Sequence, residues 1–117
     1  MPHITVDLGG GIDAEASMEE FFDCLIEAYS KADALVPENV KLRANIFDKA
    51  RVAGKPGQFI HINVALMRGP SKEQQAALSQ LLWDAAANFF QDVDQISVEV
   101  REMEPATYRK RLPAEGM

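Results

Sequence analysis

Two hexapeptides 58 residues apart, His3-Ile4-Thr5-Val6-Asp7-Leu8 and His61-Ile62-Asn63-Val64-Ala65-Leu66, agree at four of six positions. Repetition at a fixed spacing constrains a fold more than any single motif, because both copies must build the same local unit. In the first copy Ile4, Val6 and Leu8 alternate with Thr5 and Asp7, the period of a half-buried strand. Gly9-Gly10-Gly11 breaks it, and Ser17-Met18-Glu19-Glu20 has the Ser-x-x-Glu form of a capping box at a helix start. Met18, Phe21, Phe22, Leu25, Ile26 and Tyr29 then fall on one helical stripe that ends before Pro37, a residue unable to continue a helix. Val40, Leu42, Ala44 and Ile46 alternate in a second strand, which puts Lys41, Arg43 and Asn45 together on its opposite face.

The second copy follows the same course. A polar loop with Gly54-Lys55-Pro56-Gly57 leads to a strand from Phe59 to Met67, and Arg68-Gly69-Pro70 turns the chain. Ser71-Lys72-Glu73-Gln74 repeats the capping box, Leu78, Leu81, Leu82, Ala85 and Phe89 make a second stripe, and Ile96, Val98 and Val100 a last strand. The order β-α-β, β-α-β predicts an α+β two-layer fold: a four-stranded mixed sheet with both helices on one face. It forms one domain over residues 1–117, with pseudo-repeats 1–57 and 58–104 and a polar tail at 105–117. Phe59 to Met67 reads as apolar on both sides, so the uncovered face of the sheet is expected to be buried in an oligomer.

Composition narrows the function. Twelve basic against eighteen acidic residues give a net charge of −6, which disfavours nucleic acid and anionic membranes as partners; Arg109-Lys110-Arg111 is too short to change that. A single cysteine, Cys24, excludes an internal disulfide and a cysteine-based zinc site; it reads as a small buried hydrophobe beside the first stripe. Leu81 to Phe90 is interrupted by Asp84 and Asn88, so no segment is apolar enough to span a bilayer. The opening residues lack the basic and apolar regions of a secretion signal, which predicts a cytoplasmic protein. His3 and His61 occupy matching positions and read as structural, His3 with the capacity to tune a neighbour; Trp83 and Phe90 read as packing residues.

Two features carry chemistry. Residues 37–60 hold five bases and two acids, whereas residues 1–36 hold one base and eight acids. A local positive block in an acidic chain suits a small anionic ligand, although a solvated strand and loop would look the same. The second is Pro2. A small residue after Met1 permits removal of the methionine, leaving a secondary amine without amide resonance. An α-amino group titrates near ~8, and burial or the nearby cations Lys41 and Arg43 lower that toward neutrality, where a general base works best.

A proline heading a twice-repeated β-α-β unit with a cationic second strand resembles the tautomerase superfamily, and within it the 5-carboxymethyl-2-hydroxymuconate Δ-isomerase family. The residues carrying the resemblance are Met1-Pro2-His3-Ile4, Val40-Lys41-Leu42-Arg43, Phe59-Ile60-His61-Ile62, Ser71-x-Glu73 and Ile96-Ser97-Val98-Glu99. The resemblance implies a homotrimer whose sheets line a central barrel, and 1,3 proton transfer without cofactor or metal in the breakdown of homoprotocatechuate and related aromatic acids. Pro2 would be the base, and Lys41, Arg43 and Arg68 would bind a small anionic unsaturated acid. Lys41 stands where the family has an arginine, keeping the charge but losing the bidentate fork. Gly69-Pro70-Ser71 replaces the usual Gly-Arg-Ser, with Arg68 one residue ahead of the glycine. Two rivals fit the same chain: a tautomerase of another enol acid, and a non-catalytic ferredoxin-like module for ligand binding or assembly.

Overall fold

The computed structural model describes residues 2–32, 35 and 37–111; Met1, the stretch just before Pro37 and the end of the polar tail lie outside the described residues. Strand β1 (His3–Gly9) leads to α1 (Met18–Ser30) and then β2 (Lys41–Phe47). A small hairpin, β3 (Arg51–Val52) and β4 (Lys55–Pro56), precedes β5 (Phe59–Leu66), α2 (Lys72–Phe89) and β6 (Gln95–Glu102). The sheet order is β2-β1-β5-β6. β1 runs parallel to β2, β5 parallel to β6, and β1 meets β5 antiparallel at the centre. The two repeats are thus two β-α-β units joined through their first strands. Thr5 and Asn63 are repeat equivalents and also face each other across the β1–β5 ladder, so the pseudo-twofold axis passes between them.

The even-numbered residues of β1 and β5 form the floor of the core. Ile4, Val6, Leu8, Ile60, Ile62 and Val64 are fully buried beneath Phe21, Leu25 and Tyr29 of α1 and Leu78 and Leu82 of α2. Each large side chain so removed from water contributes roughly 1.5–3 kcal/mol, which is what seats both helices on this face. The buried line on α2 is Gln75, Leu78, Leu82 and Ala86; Leu81, Ala85 and Phe89 of the expected stripe pack at its edge. Gln75 is tolerated inside because its amide donates to the Pro70 carbonyl and the Glu102 carboxylate.

Several expectations need correction. Ser71 forms the full reciprocal box with Gln74, but Ser17 makes no capping bond. A single 3-10 turn over Glu15–Ser17 runs directly into α1, and the Ser17 hydroxyl donates backward to the Ala14 carbonyl instead. Cys24 is only half-buried, and Trp83 is 41% exposed, held by its indole N–H to the Ile96 carbonyl, whereas Phe90 does pack, edge-on to Phe21 and Phe89. The uncovered sheet face is chiefly polar rather than apolar, because His61 and Asn63 alternate with the buried residues of β5. The hairpin β3–β4 was not legible: its strands are two residues long, and Ala53 and Gly54 turn it with positive φ at both positions. Gly10, with φ near +95°, lies so close to the Gly57 carbonyl oxygen that a Cβ would collide with it.

Candidate active site

Strand direction decides where chemistry collects. β1 and β2 begin at the same rim of the sheet at which β5 and β6 end. Pro2 stands there, one residue before β1, and its carbonyl accepts a hydrogen bond from the Lys41 backbone N–H at 3.0 Å. On the open face the first row across the sheet is Lys41, His3, Ala65 and Arg101, and the next is Arg43, Thr5, Asn63 and Glu99. Lys41 and Arg43 therefore share one face, as the alternation requires, and flank the residue that follows Pro2.

His3 connects these groups. Arg43 Nη1 lies 3.2 Å from His3 Nδ1, and Tyr108 Oη lies 3.0 Å from His3 Nε2. A guanidinium has no acceptor, so Nδ1 must present its lone pair and the single ring proton sits on Nε2, donating to Tyr108. Partial burial, then Arg43 and Lys41, hold the imidazole below its ordinary pKa of 6.5, each by disfavouring a second positive charge. Beside this pair lies a cavity of about 560 Å3 on the open face, lined among others by His3, Arg43, Asn63, Arg101 and Tyr108. Asn63 Oδ1 is buried there without a hydrogen-bond donor.

Arg68 reaches the same rim from the end of β5 and is engaged: Nη2 lies 3.5 Å from Glu104 and Nε 3.9 Å from Glu102. The structure thus gathers Pro2, Lys41 and Arg43 around His3 and sets Arg68 beyond them in a surface ion-pair group. Sequence reasoning missed Arg101 and Tyr108. Arg101 was open to discovery from the parity of β6 once its register with β5 was known; Tyr108 lies in a stretch with no periodicity. It arrives by a turn in which the Glu104 carbonyl accepts from the Thr107 and Tyr108 N–H groups, each at 3.2 Å.

The pseudo-symmetric position lacks the site. His61 corresponds to His3, but Ser97 and Glu99 replace Lys41 and Arg43, and His61 Nδ1 bonds Ser97 Oγ at 2.7 Å. Among the described residues no three His, Cys, Asp or Glu side chains converge to hold a metal ion.

Comparison with known proteins agrees with the fold. A crystallised protein inactivated by 2-oxo-3-pentynoate superposes with a TM-score of 0.79 at 15% identity, covering 91% of this chain and 89% of its own. A wild-type fused 4-OT, solved as a symmetric trimer, gives 0.76 at 14% identity and 88% coverage of each chain. A 5-carboxymethyl-2-hydroxymuconate isomerase from Deinococcus radiodurans gives 0.72 at 21% identity, covering 94% of this chain and 88% of its own. No curated protein matches the chain in sequence. Residues 2–114 match the family of 5-carboxymethyl-2-hydroxymuconate isomerase. A match over nearly the whole chain, on a tautomerase-like fold, places the protein in the 5-carboxymethyl-2-hydroxymuconate isomerase family and makes it an isomerase.

Proposed function

We propose that the protein moves a proton along the conjugated system of an unsaturated 2-hydroxy dicarboxylate or tricarboxylate, 5-carboxymethyl-2-hydroxymuconate first among them, with Pro2 as base and no cofactor. The observation that carries this reading is the position of Pro2 at the rim, tied through its carbonyl to Lys41 and one residue from the Arg43–His3 pair. With Met1 removed, the Pro2 nitrogen takes the 2-hydroxyl proton of the dienol and a proton is delivered to C5, leaving the 2-oxo form. Lys41 and Arg43 hold the substrate carboxylates and oppose the negative charge that develops on the 2-oxygen. Arg68 joins them by exchanging Glu102 and Glu104 for a substrate carboxylate, an exchange that costs little because these surface pairs are worth ~1 kcal/mol or less.

The working form is a homotrimer. A structural relative is a symmetric trimer. Among the described residues the outer edges of β2 and β6 are unpaired, and Ile46 and Phe47 at the end of β2 are 38% and 46% exposed. Bare strand edges with apolar neighbours favour pairing with further copies. Lys41 in place of an arginine favours a second reading, a tautomerase of another enol acid, since a point charge does not select for paired carboxylate oxygens.

The test is ultraviolet-monitored isomerisation by protein whose intact mass shows Met1 removed, together with exposure to 2-oxo-3-pentynoate, an alkynone that accepts an amine by conjugate addition. Turnover above the buffer reaction, and one adduct per chain mapped to Pro2, are expected. A fully processed protein with background turnover and no adduct removes Pro2 from the mechanism.

A further inference from the structure

We propose that Tyr108 contacts the substrate: its phenolic O–H ends a directed run of hydrogen bonds from Arg43 through His3 and donates to a carboxylate or carbonyl oxygen of the unsaturated acid bound in the open-face cavity. The proposal rests on the reading of the site as an isomerase centre for such acids.

Direction is the core of the argument. Arg43 only donates, so His3 Nδ1 accepts, at 3.2 Å. The proton left on Nε2 is then donated to the Tyr108 oxygen at 3.0 Å. With that oxygen acting as acceptor, the hydroxyl hydrogen has no second partner among the described residues, and the side chain lines the cavity. A neutral imidazole between a guanidinium and a phenol cannot reverse the run without placing an N–H against the arginine. The ring is set as well as the hydroxyl: Tyr108 and His3 meet edge to face, 5.9 Å between centroids and 75° between planes.

Two further features suit an oxyanion at this point. Arg43 and Arg101 line the cavity from the two edge strands, Arg101 with Glu99 3.7 Å away, and the Glu102 and Glu104 carboxylates that also line it are paired with Arg68. The cavity lies against the first two rows of the sheet and is lined by His3, the residue that follows Pro2. The chain Met103–Arg111 thereby becomes part of the site, carrying a phenolic O–H donor to this rim.

Tyr108→Phe keeps the ring and removes the donor. Turnover of 5-carboxymethyl-2-hydroxymuconate and calorimetric binding of muconate, an unsaturated dicarboxylate, would be measured on wild type and variant. A hydrogen bond to a charged oxygen contributes ~1.5–3 kcal/mol, so kcat/KM should fall roughly 10- to 100-fold and muconate affinity about tenfold, with the oligomeric state unchanged and the melting temperature lowered only by loss of the His3–Tyr108 bond. In 15N-histidine spectra His3 should carry its proton on Nε2. If wild type fails to turn over this substrate but binds muconate and the variant binds it less tightly, the substrate assignment falls and the role of Tyr108 stands. Variant and wild type within about twofold in both readouts, no muconate binding by wild type, or a proton on Nδ1 of His3 would each overturn it.

Discussion

At the scale of single residues, two buried or half-buried groups make measurable predictions. His3 is held neutral by partial burial, Arg43 and Lys41, so its folded pKa lies below its unfolded value of 6.5. The unfolded chain therefore binds the extra proton first: the contribution of neutral His3 to stability is complete above pH 6.5 and is lost as pH falls below it. Melting curves between pH 7 and 5 should show wild type losing more stability than His3→Asn. Equal pH slopes would mean that His3 titrates alike in both states. Tyr29 is buried beneath the sheet with a hydroxyl that has no hydrogen-bond partner, and burial raises its pKa. An unpaired buried polar group costs about 1–3 kcal/mol, so Tyr29→Phe should leave stability unchanged or raise it by ~1 kcal/mol in denaturant unfolding. A loss of comparable size would reveal a partner for the hydroxyl.

At the scale of elements, the two helix starts look alike in sequence and differ in the fold. Ser71 and Gln74 satisfy each other's backbone N–H groups at 3.1 and 2.8 Å. Ser17 and Glu20 do not, because a 3-10 turn supplies the N-terminal carbonyls that a cap would otherwise replace. Ser71→Ala should cost about 1 kcal/mol and Ser17→Ala only a few tenths, read from paired unfolding curves. Equal losses would show that the motif alone decides capping. Strand alternation, by contrast, was reliable wherever one face was buried, since slipping one residue would exchange Ile4, Val6 and Leu8 for His3, Thr5 and Asp7 in the core. Gly10→Ala would strain the loop that follows β1. The positive φ and the collision with the Gly57 carbonyl should destabilise the fold by more than ~1 kcal/mol in the same experiment.

At the scale of the whole molecule, the pseudo-twofold would give two equivalent sites, and the residues occupying them permit one. Pro2, Lys41 and Arg43 meet at one rim; at the other, His61 faces Ser97 and Glu99. Lys41→Ala should therefore raise KM for dicarboxylates several-fold while leaving the proposed trimer intact by light scattering. Dissociation of the assembly would make Lys41 a structural residue. The amino-acid sequence by itself determined the repeat, the strand and helix faces, and the shared face of Lys41 and Arg43. Each follows from local periodicity and from apolar side chains leaving water. Only the tertiary structure decided that Arg43 meets His3, that Arg68 is engaged by Glu102 and Glu104, and that Tyr108 returns across 105 residues to bond His3. Those contacts depend on strand register and on the path of an aperiodic segment. Neither leaves a period in the chain, because non-local hydrogen bonds are set by where elements pack and not by the residues that neighbour them in sequence.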